Sequence, residues 1–393
     1  MDLFKRIARA SALTAAVAFS AIGTAAAQEV VKIGYTGPLS GGAALYGKNT
    51  LSGMQMAQEE INNAGGFEVK GKKYKLEVVA LDDKYSPSEA GTNARRLVQE
   101  HKTPIVFTPH SGGVFALQAF NERDNFLVAA YTSVPTVTER GNKLTVRIPP
   151  SFMGYMEPFT KVSMERFGKK VAIANATHDY AKAWTKAFVP IWTAAGGEVV
   201  ADNPMDYNKD TDYYSGVSKV LAAKPDVLFI GGASEPTALV AKQARELGFK
   251  GGFIVMDQAK LDEMAAVVGG LKPLEGAVGV LPLVYDEDPE AKDFVKRYEA
   301  KFGKTPGSEA GYHYMTTYIM VEAMKIAGTT SDPVAIRAAI GEAMKAIPDE
   351  HNPMGIRDID EKGGFKADTP VAMVQDGKVR SVKMSEIMGG AKN

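Results

Sequence analysis

Strand-like and helix-like segments alternate along nearly the whole chain, in two successive series, and few folds satisfy such a pattern. Residues 30–35 form a short β-rich run ending in turn residues, and the helical stretch after it places Leu51, Met54, Gln58 and Ile61 near the helical period. Asn63-Ala64-Gly65-Gly66 supplies the glycine expected just past a helix C-terminus. Residues 74–81 alternate as a strand, 86–100 read as a helix opened by Ser-Pro, and 105–107 as a buried strand; another helix and strand end at residue 130. After Pro149-Pro150 a second series begins, with strands at 171–174, 198–201, 227–230 and 253–256 and helices near 180–195, 213–222 and 235–247. Repeated units of this length imply parallel sheets covered on both faces.

The remainder is mostly helical, at 289–302, 308–327 and 333–347, before a β-hairpin of 371–374 and 378–382 around Asp376-Gly377. A three-helix tail has no sheet of its own, so it is expected to return to the first lobe. The expected fold is therefore α/β, with two Rossmann-like lobes. The first would hold residues 28–149 plus about 283–360, and the second 150–282 plus about 361–393.

Composition removes several functions. With 46 basic and 46 acidic residues there is no positive excess to meet a phosphate backbone, so no nucleic-acid partner is expected. The absence of cysteine excludes disulfides, thiolate nucleophiles and sulfur-ligated metal sites. At 393 residues a single core is improbable and two domains fit better.

The amino terminus reads as a removable export signal over residues 1–27. Lys5, Arg6 and Arg9 precede an apolar run at 10–22, and Ala25-Ala26-Ala27 offers the small residues that a signal peptidase reads. That run is too short for a spanning helix, which needs about 20 residues. No later stretch is apolar and long enough to span a bilayer, and without cysteine there is no lipoprotein anchor. The expected location is the periplasm, where nucleotide and nicotinamide pools are scarce, and no cofactor is expected.

The motif search agrees. Gly42-Ala43-Ala44-Leu45-Tyr46-Gly47-Lys48-Asn49 nearly spells a phosphate-binding loop, but Asn49 stands where a magnesium-ligating Ser or Thr is required. The histidines at 101, 110, 178, 313 and 351 lack the i, i+4 spacing of a helical metal site. Ser111 lacks the preceding glycine of a nucleophile elbow. No catalytic or metal-binding residue is assigned.

Binding is better supported. In open parallel sheets, ligands sit beyond the carboxyl ends of the strands, where loops and helix N-termini gather. Those positions include Tyr46, His110-Ser111-Gly112, Tyr131 with Ser133, Tyr180, Ala233 and Asp257. Ser111, just before a helix, can hold a carboxylate together with the following amides, and Ser133 adds a second hydroxyl. Asp257, from the other series, can meet an ammonium. The plain alternatives are helix capping for the two serines and a turn role for Asp257. Three tyrosines at strand ends suit an amphipathic pocket wall.

Several of these residues belong to a recognisable pattern. Gly34-Tyr35-Thr36-Gly37-Pro38-Leu39-Ser40-Gly41-Gly42, then Tyr46-Gly47, then Ile61-Asn62-Asn63-Ala64-Gly65-Gly66 resembles the opening of the periplasmic leucine/isoleucine/valine-binding proteins. These are the solute-binding components of ABC importers. The likeness continues through Asp82-Asp83, Val134-Pro135, Asp179-Tyr180, Lys224-Pro225-Asp226, Gln243-Ala244-Arg245 and Leu274-Glu275-Gly276. It implies a type I periplasmic binding fold whose lobes are joined by three hinge strands and close on a small molecule. It further implies that Ser111 and Ser133 hold a carboxylate, that the carbonyl of Tyr131 and the side chain of Asp257 hold an ammonium, and that Tyr46 and Tyr180 line the cleft.

The departures from the family pattern are also informative. His110 precedes Ser111, and Gly112 and Gly113 replace a hydroxyl run. Tyr131 replaces a small residue, and Ala233 stands where a tyrosine is frequent. Together they imply a reshaped pocket. The expected ligand is a small carboxylate-bearing solute, an α-amino acid of the branched-chain or aromatic kind, delivered by a monomer to a membrane permease. Binding of an amine-free aromatic or aliphatic acid, a ligand-sensing receptor role and an exported hydrolase remain the alternatives.

Overall fold

The computed structural model describes residues 28–368 and 370–389. The expected export signal at 1–27 lies outside them.

Two sheets organise the chain. The first has the order β2-β3-β1-β4-β5-β6. Its strands β1 (Glu29–Gly37), β3 (Lys72–Asp82), β4 (Ile105–Thr108), β5 (Leu127–Ala130) and β6 (Thr145–Arg147) run parallel, while β2 (Phe67–Val69) pairs antiparallel at the edge. The second sheet contains parallel β7 (Lys170–Ile173), β8 (Glu198–Asp202), β9 (Val227–Ile230), β10 (Gly252–Val255) and β11 (Ala277–Val280). The hairpin β12 (Val371–Gln375) and β13 (Lys378–Val382) extends it antiparallel to β11. Asp376 and Gly377 both have positive φ, which suits a tight hairpin turn. Strands β4, β5, β9, β10 and β11 are buried at every residue, so they read as short continuous apolar runs rather than alternating ones.

The helical tail returns to the first sheet. Helix Ser308–Ala327 packs along helix Ala44–Asn63 and against helix Pro333–Ala346. The first crossing is tight: a Cβ added at Gly53 would lie 2.1 Å from the Ala310 carbonyl oxygen, so only glycine admits this approach. Helix Pro289–Phe302 adds Phe294 and Tyr298 to a cluster with Met56 and Ala57.

The return to the second sheet comes later than the expected position near 361. The Arg147 amide donates to the Gly363 carbonyl at 2.8 Å, and Phe365 is fully buried in the first sheet's core. Only after this anchored segment does Val371 join the second core. The sequence pattern also gave no sign of helix Met153–Phe167, which carries Pro158 in its interior, or of helix Leu261–Val268 and strand β11. Among the described residues no helix is long and apolar enough to cross a membrane.

Candidate functional site

The parallel pairing of β4 with β5 matches Thr108 with Ala130, so the segments that follow them emerge side by side. This register brings the Ser111 hydroxyl within 2.7 Å of the Thr132 hydroxyl. His110, not Ser111, caps helix Ser111–Gln118: its Nδ1 accepts the Gly113 amide at 3.0 Å. With Nδ1 held as an acceptor, the ring proton lies on Nε2, which faces Asp83 Oδ2 at 3.0 Å. Asp83, itself fully buried, also accepts Thr36 Oγ1 and the Tyr85 amide. The Tyr85 ring stacks on His110 with centroids 4.5 Å apart. The histidine thus takes over the capping role, leaving the Ser111 hydroxyl free of it.

The second sheet supplies the opposite wall. Asp257 follows β10, and Tyr180 lies in the first turn of helix Asp179–Ala194 after β7. Asp257 Oδ1 accepts the Tyr180 hydroxyl at 2.5 Å, Ser133 Oγ at 2.8 Å and Trp184 Nε1 at 3.2 Å. Burial raises the Asp257 carboxyl pKa, opposed by the nearby Lys260 charge and by these donors. Lys260, nearly inaccessible, donates to the carbonyls of Asp257 and Gln258. The Tyr85 hydroxyl and the Gln258 amide approach to 2.9 Å, so the two walls also meet there.

A cavity of about 20 Å³ remains between the walls. It is lined by Tyr46, His110, Ser111, Tyr131, Ser133, Tyr180 and Asp257, together with Tyr85, Thr132 and Gln258. Its size is that of a closed cleft, with room for little more than a water. Tyr46 is fixed by donation of its hydroxyl to the Pro109 carbonyl at 2.7 Å, and its ring lies over Tyr131 at 6.1 Å. Gly112 and Ala233 lie outside this set. Gly112 faces Pro87 and Asp179, and Ala233 packs in the first sheet's core just ahead of helix Ser234–Glu246.

Thr132 and Gln258 lie at strand ends that sequence reasoning marks without giving them a role, whereas it missed Tyr85 and Trp184. The available signal for Trp184 was its position four residues after Tyr180, which puts both on one helix face. Tyr85 carried no periodic signal, since it sits in a turn at positive φ.

A second link between the halves lies at the first turn of helix Leu261–Val268. Asn49 Nδ2 donates to Glu263 Oε1 at 2.8 Å and to Glu309 Oε1 at 3.2 Å. Burial and the neighbouring Glu263 push the Glu309 pKa well up. Burial and Glu263 likewise push Asp262 up to about 7.

Among the described residues there is no group of three or more potential metal ligands. The arrangement offers a buried carboxylate, paired hydroxyls and aromatic walls, which can hold a small polar molecule by hydrogen bonds.

The description "Periplasmic binding protein" belongs to the family model that matches residues 30–378. A leucine-, isoleucine-, valine-, threonine- and alanine-binding protein of Pseudomonas aeruginosa is 26% identical over 364 residues, covering 92% of this chain and 94% of its own. A Leu/Ile/Val-binding protein of Escherichia coli is 25% identical over 353 residues, covering 89% and 91%. The fold matches a branched-chain amino acid transporter substrate-binding protein of Streptococcus pneumoniae, solved in complex with isoleucine. Its TM-score is 0.76 at 23% identity, over 90% of this chain and 100% of that one. A solute-binding protein of Rhodopseudomonas palustris in complex with benzoate matches with a TM-score of 0.76 at 18% identity, over 90% and 96%.

Proposed function

The chain belongs to the periplasmic binding protein family, and from that premise we propose that it captures an α-amino acid between its two sheets for an ABC importer. The observation that carries this reading is the position of Asp257. A buried carboxylate from one half faces the Ser111–Thr132 hydroxyl pair and Ser133 of the other half, across one small cavity. An α-amino acid presents a carboxylate and an ammonium with complementary needs. Burying both ends without hydrogen bonds would be costly, so such a site discriminates against molecules lacking either group. In this reading Ser111, Thr132 and Ser133 receive the carboxylate, while Asp257 and the Tyr131 carbonyl receive the ammonium. Tyr46 and Tyr180 form the walls.

Release and capture follow hinge opening between lobes, with the division falling after about residue 149, near 282 and in the 360s. Ligand favours closure only by its greater affinity for the closed form. The protein acts in the periplasm after removal of residues 1–27, as a monomer, and hands its ligand to a membrane permease without transforming it. Equilibrium dialysis of purified protein against leucine and phenylalanine tests this. The bound amino acid should be recovered chemically unchanged, and turnover or the absence of binding would overturn the reading.

A second reading has one observation in its favour. Asp257 already accepts three neutral donors on a single oxygen, and burial raises its pKa. A neutral or self-satisfied carboxyl suits an amine-free aromatic acid. Dialysis against phenylacetate in place of phenylalanine separates the two.

A further inference from the structure

A much larger cavity, about 620 Å³, lies behind the small one on the side where the chain passes between the two sheets. The two share Tyr131, Pro149 and Asp257 as a common wall. The large cavity is lined further by Tyr155, Tyr285, Tyr312 and Met354, and by charged groups of both signs, Asp286, Asp368, Lys260 and Lys383.

Two hydroxyls in this wall are unusual. Tyr131 and Tyr312 are 5% and 7% exposed, and their rings meet at 5.4 Å. Among the described residues neither hydroxyl is hydrogen-bonded to protein, and both residues line the cavity instead of being sealed in packed protein. The buried hydroxyls of Tyr35, Tyr46, Tyr85, Tyr180, Tyr207 and Tyr314 all have protein partners. Tyrosine hydroxyls at largely buried positions ordinarily find a protein partner, so two that line one cavity side by side are free to pair with a ligand there.

We propose that this cavity is the side-chain compartment of the ligand site, and that it takes an aromatic ring bearing a hydroxyl. The inference rests on the amino-acid reading for its head group only. With the carboxylate and ammonium held at Ser111 and Asp257, a side chain running past Tyr131 enters the compartment. Its ring packs among tyrosines and Met354, where offset and edge-on contacts are favourable. Its hydroxyl meets Tyr131 or Tyr312 and can donate to a lining carboxylate such as Asp286. A branched aliphatic chain offers neither phenol a partner.

Calorimetry on the purified protein with two ligand pairs tests this: tyrosine against phenylalanine, and 4-hydroxyphenylacetate against phenylacetate. The hydroxylated member of at least one pair should bind about tenfold tighter or more, because a site built around a hydroxyl rejects the analogue lacking it. Tyr312→Phe and Tyr131→Phe should each move that ratio toward one. Equal affinities within every pair, or no binding in either, would overturn the inference, as would a preference that both variants retain. A preference confined to the amine-free pair would keep the compartment while overturning the amino-acid reading.

Discussion

Ser133 Oγ donates to Asp257 Oδ1 at 2.8 Å, joining residues 124 positions apart from opposite sheets. Each is the third or second residue past the end of a parallel strand, β5 or β10. The contact ties the two sheets together across the cleft, and a ligand placed between these side chains must share or replace it.

Asp257→Asn retains a carbonyl oxygen for Tyr180, Ser133 and Trp184 but removes the negative charge. Affinity for α-amino acids should fall at least about tenfold, since a hydrogen bond to a charged group contributes about 1.5–3 kcal/mol. Affinity for the amine-free analogues should not fall. Calorimetry on both ligand sets checks this, and an amino-acid affinity equal to that of the unaltered protein would remove Asp257 as the ammonium partner.

His110→Ala should lower stability by roughly 1–3 kcal/mol. It removes the cap on the Gly113 amide and one partner of the fully buried Asp83. Ser111→Ala, by comparison, loses only the hydrogen bond to Thr132, so it should cost about 1 kcal/mol or less in urea unfolding while weakening ligand binding. A loss of stability in the serine variant comparable to that in the histidine variant would return Ser111 to a structural role.

Acid should destabilise the protein through its histidines. Burial lowers His178 to about 3 and His313 to about 4. Their neutral forms are thus favoured by folding, and the unfolded chain binds more protons between those values and about 6.5. Their stabilising contribution is present above about pH 6.5 and is lost as pH falls toward 4 and 3. Thermal unfolding of His313→Gln should show a shallower decline over that range, and an unchanged slope would contradict the assignment.

The acidic link has the opposite sign. Asp262 is raised to about 7 and Glu309 is raised well above its ordinary value. Their contribution is complete below the unfolded carboxyl pKa, near 4, and is lost as pH rises through the folded values. Asp262→Asn should therefore stabilise the protein at pH 8 relative to pH 4.5, compared with the unaltered chain. An identical pH dependence in the two proteins would show that this carboxyl titrates normally.

Much of the architecture was legible because parallel strands buried on both faces must be short and apolar. Val227–Ile230 and Ile105–Thr108 announce themselves in this way. The tail helices were legible from Pro and Asp at their starts, as at Asp288-Pro289 and Asp332-Pro333. Helix Met153–Phe167 was hidden by an internal proline and by the absence of a capping side chain. Ser111, Tyr131, Ser133, Tyr180 and Asp257 could be picked out because strand ends are where loops converge. Trp184 and Tyr85 could not, because their partners are fixed by packing across the cleft rather than by neighbours in sequence. The anchor formed by Arg147 and Gly363 was illegible for the same reason: it joins segments far apart in the chain.

Thermal unfolding of the purified protein, with and without excess ligand, tests the central claim most directly. Branched-chain and aromatic α-amino acids would be compared with the same side chains lacking the amine. At a hundredfold excess over the dissociation constant, ligand binding to the folded state alone stabilises by about 2.7 kcal/mol. The expected result is a stabilisation of that size with at least one α-amino acid, none with its amine-free analogue, and loss of the effect in Asp257→Asn. Stabilisation by the amine-free acids alone, or by neither set, would contradict capture of an amino acid at this cleft.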